Sequence, residues 1–132
     1  MMEPVWVRKE LVLVVHRRQV LQHGGLPGIR DEGLLESALV RPRQILAYEP
    51  GTDISRLAAA YAWSMVRNHP FVDGNKRTAL VICRVFLRLN GYDLVASAEE
   101  KYAVFMGIAS GLVSEEEFAQ WLREHTVSTG TG

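Results

Sequence analysis

Apolar residues recur at helical spacing along most of the chain, and Gly, Pro and capping residues break the pattern into about six helices. The first amphipathic run extends from Arg8 to Gln22, with Leu11, Val14, Val15, Val20 and Leu21 as expected core positions, and stops at Gly24-Gly25. Leu26-Pro27-Gly28 then makes a turn or short hairpin-like flap. Asp31 is placed to cap a second helix carrying Leu34, Leu35, Ala38 and Leu39. Pro42 interrupts or kinks that helix before it resumes through Ile45 and Leu46 to Tyr48.

After the loop Glu49-Pro50-Gly51-Thr52, Asp53 caps a third helix whose Ile54, Leu57, Ala60, Tyr61, Ser64 and Met65 keep the period. Its small residues Ala58, Ala59, Ala60 and Ala62 let neighbours approach closely, which predicts a central position. Pro70 stops this helix and biases His69 toward an extended backbone. A loop from His69 to Gly74 leads to a fourth helix, from Asn75 or Lys76 to Asn90, with Gly91 as its stop. Ser97-Ala98-Glu99-Glu100 and Ser114-Glu115-Glu116-Glu117 are capping boxes that open two more helices. The small, polar stretch from Thr126 to Gly132 is expected to be a frayed, flexible tail, leaving residues 1–125 as a single domain. No segment alternates with a strand period for more than a few residues, so the fold class is all-α: a compact helical bundle.

Composition narrows this picture. The chain is 132 residues long and 48% hydrophobic, enough to bury a core without disulfides or structural metal. The single Cys83 falls in an apolar helical pattern and is expected in the core of a protein kept in a reducing cytoplasm. Charges interrupt the apolar run near the N-terminus, which is therefore not expected to be a signal peptide. No stretch approaches the roughly 20 apolar residues that span a bilayer. The formal net charge of +0 speaks against direct, general nucleic-acid binding, so any anion site should be local.

That site is expected between His69 and Arg77. The first turn of a helix presents unpaired N–H groups and the positive end of the macrodipole, where acidic side chains are favoured. Here Lys76 and Arg77 stand instead. Two cations beside orphan donors repel one another unless an anion sits among them, and phosphate is the natural occupant. His69 carries an imidazole, which titrates near neutrality and can take a proton from an attacking hydroxyl. Asp73 offers a hard oxygen to Mg²⁺, an ion that usually leans on substrate phosphates. Phe71 is most simply an apolar anchor for the loop, and Asn75 either caps the helix or bonds phosphate through its amide.

Each residue alone also has a plain structural reading. His-Pro-Phe makes an ordinary turn, and Asp73 with Arg77 would make a surface ion pair worth under about 1 kcal/mol. Together within nine residues, a base, a metal ligand and an anion nest favour function. Elsewhere His16, His23 and His125 have no metal-ligand spacing and are read as structural or solvated. Trp6, Trp63 and Trp121 are read as core or groove-lining, and no Walker loop or Ser elbow is found.

The run His69-Pro70-Phe71-Val72-Asp73-Gly74-Asn75-Lys76-Arg77 resembles the signature of Fic-fold proteins, and more closely that of their death-on-curing (Doc) toxin branch. Gly24-Gly25-Leu26-Pro27-Gly28, Arg30-Asp31 and Phe86-Leu87-Arg88-Leu89-Asn90-Gly91 extend the likeness over most of the chain. The resemblance implies the toxin of a type II toxin–antitoxin pair. Such a toxin moves phosphate from ATP to a hydroxyl of a protein, by resemblance a threonine of elongation factor Tu, and arrests translation. It further implies His69 as general base and Asp73 as Mg²⁺ ligand. Gly74, Asn75, Lys76 and Arg77 would hold phosphates, with Arg67 assisting; Lys76 and Arg77 would also stabilise charge in the transfer.

The departures from the pattern bear on which group moves. Gly74 matches the AMP-transferring Fic enzymes, whereas Doc has Ala there. Lys76 replaces their second Gly, and Leu80 stands where they carry a second Arg. A lysine crowds the nest for the α-phosphate, and loss of the Arg removes a bidentate clamp. Both favour presentation of the γ-phosphate, with AMP transfer as the alternative and an inactive antitoxin-binding scaffold or co-repressor as a third reading. No inhibitory Ser/Thr-x-x-x-Glu-Gly/Asn run is found. Restraint is therefore expected from a separate antitoxin whose disordered tail folds as a helix into an apolar groove. The turn from Gly24 to Arg30 is a candidate flap for a target strand.

Overall fold

Capping chemistry decides where this chain turns. In the computed structural model, which describes residues 3–130, the chain order is α1 (Lys9–His23), α2 (Glu32–Tyr48), α3 (Ile54–Asn68), α4 (Asn75–Leu89), β1 (Tyr92–Leu94), α5 (Ala98–Ser110), α6 (Glu115–His125) and β2 (Thr126–Ser128). Asp31 accepts from the Leu34 N–H and Asp53 from the Arg56 N–H, which opens α2 and α3. Ser97 and Ser114 each complete a reciprocal capping box at α5 and α6.

Helix α3 is the axis of the molecule. It packs on α2, α4, α5 and α6, and Leu57, the four alanines, Tyr61 and Met65 are all fully buried. Four methyl-sized side chains let the surrounding helices close on it, as their spacing predicts. Helix α2 runs unbroken through Pro42, where an interruption or kink was expected. Pro42 forfeits one backbone hydrogen bond, but it is buried beside Arg41, whose guanidinium pairs with Glu115 at the start of α6. Arg56 of α3 reaches the same carboxylate at 3.1 Å, so tertiary contacts hold this turn.

Two expectations need correction. In α1 the buried residues are Val12, Val15, His16 and Val20, whereas Leu11, Val14 and Leu21 face outward, Leu21 with 79% of its surface exposed. The unbroken apolar run Leu11 to Val15 has no phase of its own, and packing against α4 selects the face. The segment after Thr126 is also not wholly frayed. Thr126–Ser128 pairs antiparallel with Tyr92–Leu94, in the register Tyr92↔Ser128, Asp93↔Val127 and Leu94↔Thr126. Bonds from Val95 N to the His125 carbonyl and from Thr129 N to the Gly91 carbonyl extend the pairing. The last two residues of the expected tail, Thr131 and Gly132, lie outside the described residues. The bundle thus carries a two-stranded clasp, too short to show a strand period in sequence.

Candidate active site

The loop between α3 and α4 is fastened from three sides. At its start His69 adopts a left-handed backbone (φ 52°, ψ 55°) as the C-cap of α3, with its N–H bonded to the Met65 carbonyl. An extended conformation was expected from the following proline. Arg30 overrides that preference: its Nε donates to the His69 carbonyl at 2.7 Å and its Nη2 to the Asn68 carbonyl at 2.9 Å. The backbone so placed leaves the His69 side chain exposed at the rim of a cleft.

The loop's middle is anchored in the core. Phe71 is fully buried, and its ring stacks on His16 at 3.7 Å between centroids. Buried Asn75 holds the backbone of Phe71 twice, its Oδ1 accepting from the N–H and its Nδ2 donating to the carbonyl, both at 2.9 Å. The Asn75 amide is therefore engaged with the loop and does not cap the helix, while Asn75 also borders the cleft described below. The N-cap of α4 is Gly74, left-handed at φ 79°, with no side chain capping the helix. Any anion contact from this turn must come through backbone N–H groups and the neighbouring cations.

The flap, residues 24–30, forms the third attachment. Arg30 N and Asp31 N donate to the Pro70 carbonyl, and Val72 N donates to the Gly28 carbonyl. Ile29 and Phe71 form an isolated antiparallel bridge. The expected hairpin-like feature thus pairs with the motif loop rather than with itself. Leu26 N–H reaches the Asp73 carboxylate at 2.7 Å, and Gly25 (φ +113°) lies so close that a Cβ there would sit 3.2 Å from Asp73 Cβ.

What remains open is the cleft between α4 and α5, about 810 Å³ in volume. His69, Asp73, Gly74, Lys76 and Arg77 line one side. No carbonyl or side chain among the described residues takes the backbone N–H groups of Gly74, Asn75, Lys76 or Arg77. Neither Lys76 nor Arg77 has an acidic partner among the described residues, and the ion pair Asp73–Arg77 is not formed. Arg67 also lines the cleft, but its Nη1 bonds the Ile108 and Ala109 carbonyls at the end of α5, each at 3.3 Å. It thus neutralises the negative end of that helix.

Sequence reasoning missed the opposite wall. Lys101, Tyr102, Phe105 and Met106 of α5 face the motif, with Leu80 of α4 between. Lys101 adds a fourth cation to Arg67, Lys76 and Arg77. No motif marked α5, because its contribution depends on how it packs against α3 and α4. Asp73 is the sole carboxylate on the cleft wall, and no cluster of three or more potential metal ligands exists among the described residues. A single exposed carboxylate fits Mg²⁺ that shares its coordination with phosphate and water, and does not fit a structural metal.

One cleft of this helical bundle thus gathers an uncapped helix start, an imidazole and a lone carboxylate. The sequence profile of the Fic/DOC family matches residues 6–87. The chain is 36% identical over 117 residues to a protein named "Protein kinase doc" from Escherichia phage P1, covering 89% of this chain and 92% of that one. It is 42% identical over 74 residues to "Toxin Doc" of Mycolicibacterium smegmatis, covering 55% of this chain and 57% of that one. This protein belongs to the Fic/DOC family. Among solved structures, an ADP-bound N-terminal Fic domain of a putative cell filamentation protein from Bartonella quintana aligns with a TM-score of 0.45 at 19% identity, over 71% of this chain and 48% of that one. No helix among the described residues is long and apolar enough to cross a membrane.

Proposed function

We propose that this protein is a toxin of the Doc type that transfers the γ-phosphate of ATP to a hydroxyl of a protein target. The observation that carries this reading is the run of four open backbone N–H groups, Gly74 to Arg77, beside two unpaired cations and within the same cleft as His69. Such a start of a helix favours an anion nearby, and a polyphosphate suits its extent.

In this reading the N–H groups and the Lys76 and Arg77 side chains receive the outer phosphates and hold them for in-line attack. His69 takes the proton of a Ser, Thr or Tyr hydroxyl as that oxygen bonds to the γ-phosphorus. The bond from the γ-phosphorus to its bridging oxygen breaks, and ADP leaves with the electron pair. Lys76 and Arg77 stabilise the charge on the transferring group. Asp73 would hold Mg²⁺, which when bound neutralises phosphate charge. Lys101 and Arg67 extend the positive field along the cleft.

The name of the phage relative supports phosphate transfer, and that of the Mycolicibacterium relative supports a toxin role; an antitoxin partner follows from the resemblance to the Doc branch. The antitoxin is proposed to bind as a helix in an apolar groove, and the target by resemblance is elongation factor Tu. AMP transfer is the second reading, favoured by Gly74, whose left-handed backbone makes a tight nest for an α-phosphate. Leu80, an apolar side chain lining the cleft in place of a second Arg, favours the first. ATP labelled at the α or the γ position, incubated with Mg²⁺, the chain and a cell lysate, separates them. Transfer from γ alone is expected, and transfer from α would install AMP transfer instead. Transfer of neither would leave a binding scaffold. His69→Ala should transfer no label.

A further inference from the structure

His16 lies on α1, more than fifty residues before the motif, yet it touches the motif at two points. The residue is 5% exposed, its ring stacks nearly parallel (8°) on Phe71, and its Nε2 lies 2.8 Å from the carbonyl oxygen of Asp73. A carbonyl only accepts, so Nε2 must carry the proton in this contact. The same ring borders Gly74, where a Cβ would meet Cδ2 and Nε2 at 3.7 Å.

The bond matters because of peptide geometry. In a planar trans peptide the C=O and the following N–H point in opposite directions. Tying the Asp73 carbonyl to α1 therefore aims the Gly74 N–H, the first of the four open donors, away from α1. The tie also fixes the backbone from which the Asp73 carboxylate hangs. Without it, the freedom of Gly74 would let this peptide plane rotate.

We propose that His16 is a positioning residue, which orients the Asp73–Gly74 peptide so that the phosphate nest and the Asp73 carboxylate are set before nucleotide arrives. As a statement about catalysis this rests on the phosphotransfer reading given above. The test uses the full chain with His16→Phe, which keeps an aromatic ring against Phe71 but removes the donor. His16→Gln, whose Nε2 can donate at similar reach, is its companion. His16→Phe should lower kcat for γ-label transfer about tenfold or more. His16→Gln should recover to within about threefold of the unaltered chain, since the donor and not the ring sets the peptide. Full turnover in His16→Phe, or equal loss in both variants, would overturn the proposal. If His16→Phe does not fold, folded His16→Gln decides alone: near-native turnover upholds it and a tenfold loss overturns it.

Should the unaltered chain transfer no label, the activity reading fails by itself, and ADP binding followed through the Gly74 amide resonance judges His16 separately. A response to ADP in the unaltered and Gln chains but not in the Phe chain supports the positioning role. Equal responses in all three, or none, would overturn it.

Discussion

Asn75 and Phe71 exchange two 2.9 Å hydrogen bonds inside the protein, so the amide must present a donor and an acceptor in a fixed order. Asn75→Asp replaces the donor with an oxygen facing the Phe71 carbonyl. It should destabilise the fold by about 1–3 kcal/mol, measured by urea denaturation, because one buried acceptor loses its partner and a charge is buried. Unchanged stability would show that this lock is dispensable. Cys83 gives a second residue-scale expectation. Burial pushes its thiol up to about 12, so the native chain at pH 8 should ignore a thiol reagent that labels it fully in denaturant. Rapid native labelling would place Cys83 outside the core. The motif's chemistry was legible at this scale because its residues are contiguous. The duty of Asn75 was not, since spacing alone leaves open whether an amide caps, binds phosphate or locks a loop.

Among the elements, the flap and α3 make the sharpest predictions. Gly25→Ala puts a Cβ 3.2 Å from Asp73 Cβ at a φ of +113°, so the flap must shift and loosen its Leu26–Asp73 bond. A loss of about 1 kcal/mol or more in stability is expected, together with weaker nucleotide binding by calorimetry. At the start of α3 the Arg123 guanidinium, helped by the Arg56 N–H, holds the Asp53 carboxyl below the usual carboxylate range. A depressed native pKa stabilises the fold above the unfolded value and loses that contribution as pH falls through the native value. Asp53→Asn keeps a capping side chain but loses the ion pair, so it should be less stable at pH 7. Solvent screening keeps the difference under about 1 kcal/mol. The two melting curves should begin to converge as pH falls below the ordinary carboxylate value of about 4, and meet only once it passes the depressed native value. Helix limits were readable because Asp and Ser caps act locally. The buried face of α1 and the pairing of Thr126–Ser128 were not, because distant partners decide both.

Across the whole molecule, α1, the flap, α3 and α4 converge on one loop. They hold it so that the start of α4 opens into the cleft with four N–H groups and two cations unanswered. The bundle and its motif could be read from punctuation and composition. The far wall on α5 could not, because Lys101 and Tyr102 meet the motif only after the helices pack. The proposed phosphotransfer requires that a polyphosphate meet those unanswered charges. A crystal structure of the chain soaked with Mg²⁺ and a non-hydrolysable ATP analogue tests this directly. Phosphate oxygens should lie within hydrogen-bonding distance of the Gly74 to Arg77 N–H groups, with the terminal phosphorus facing His69. An empty cleft under saturating nucleotide, or a carboxylate of the chain seated in the nest, would contradict it.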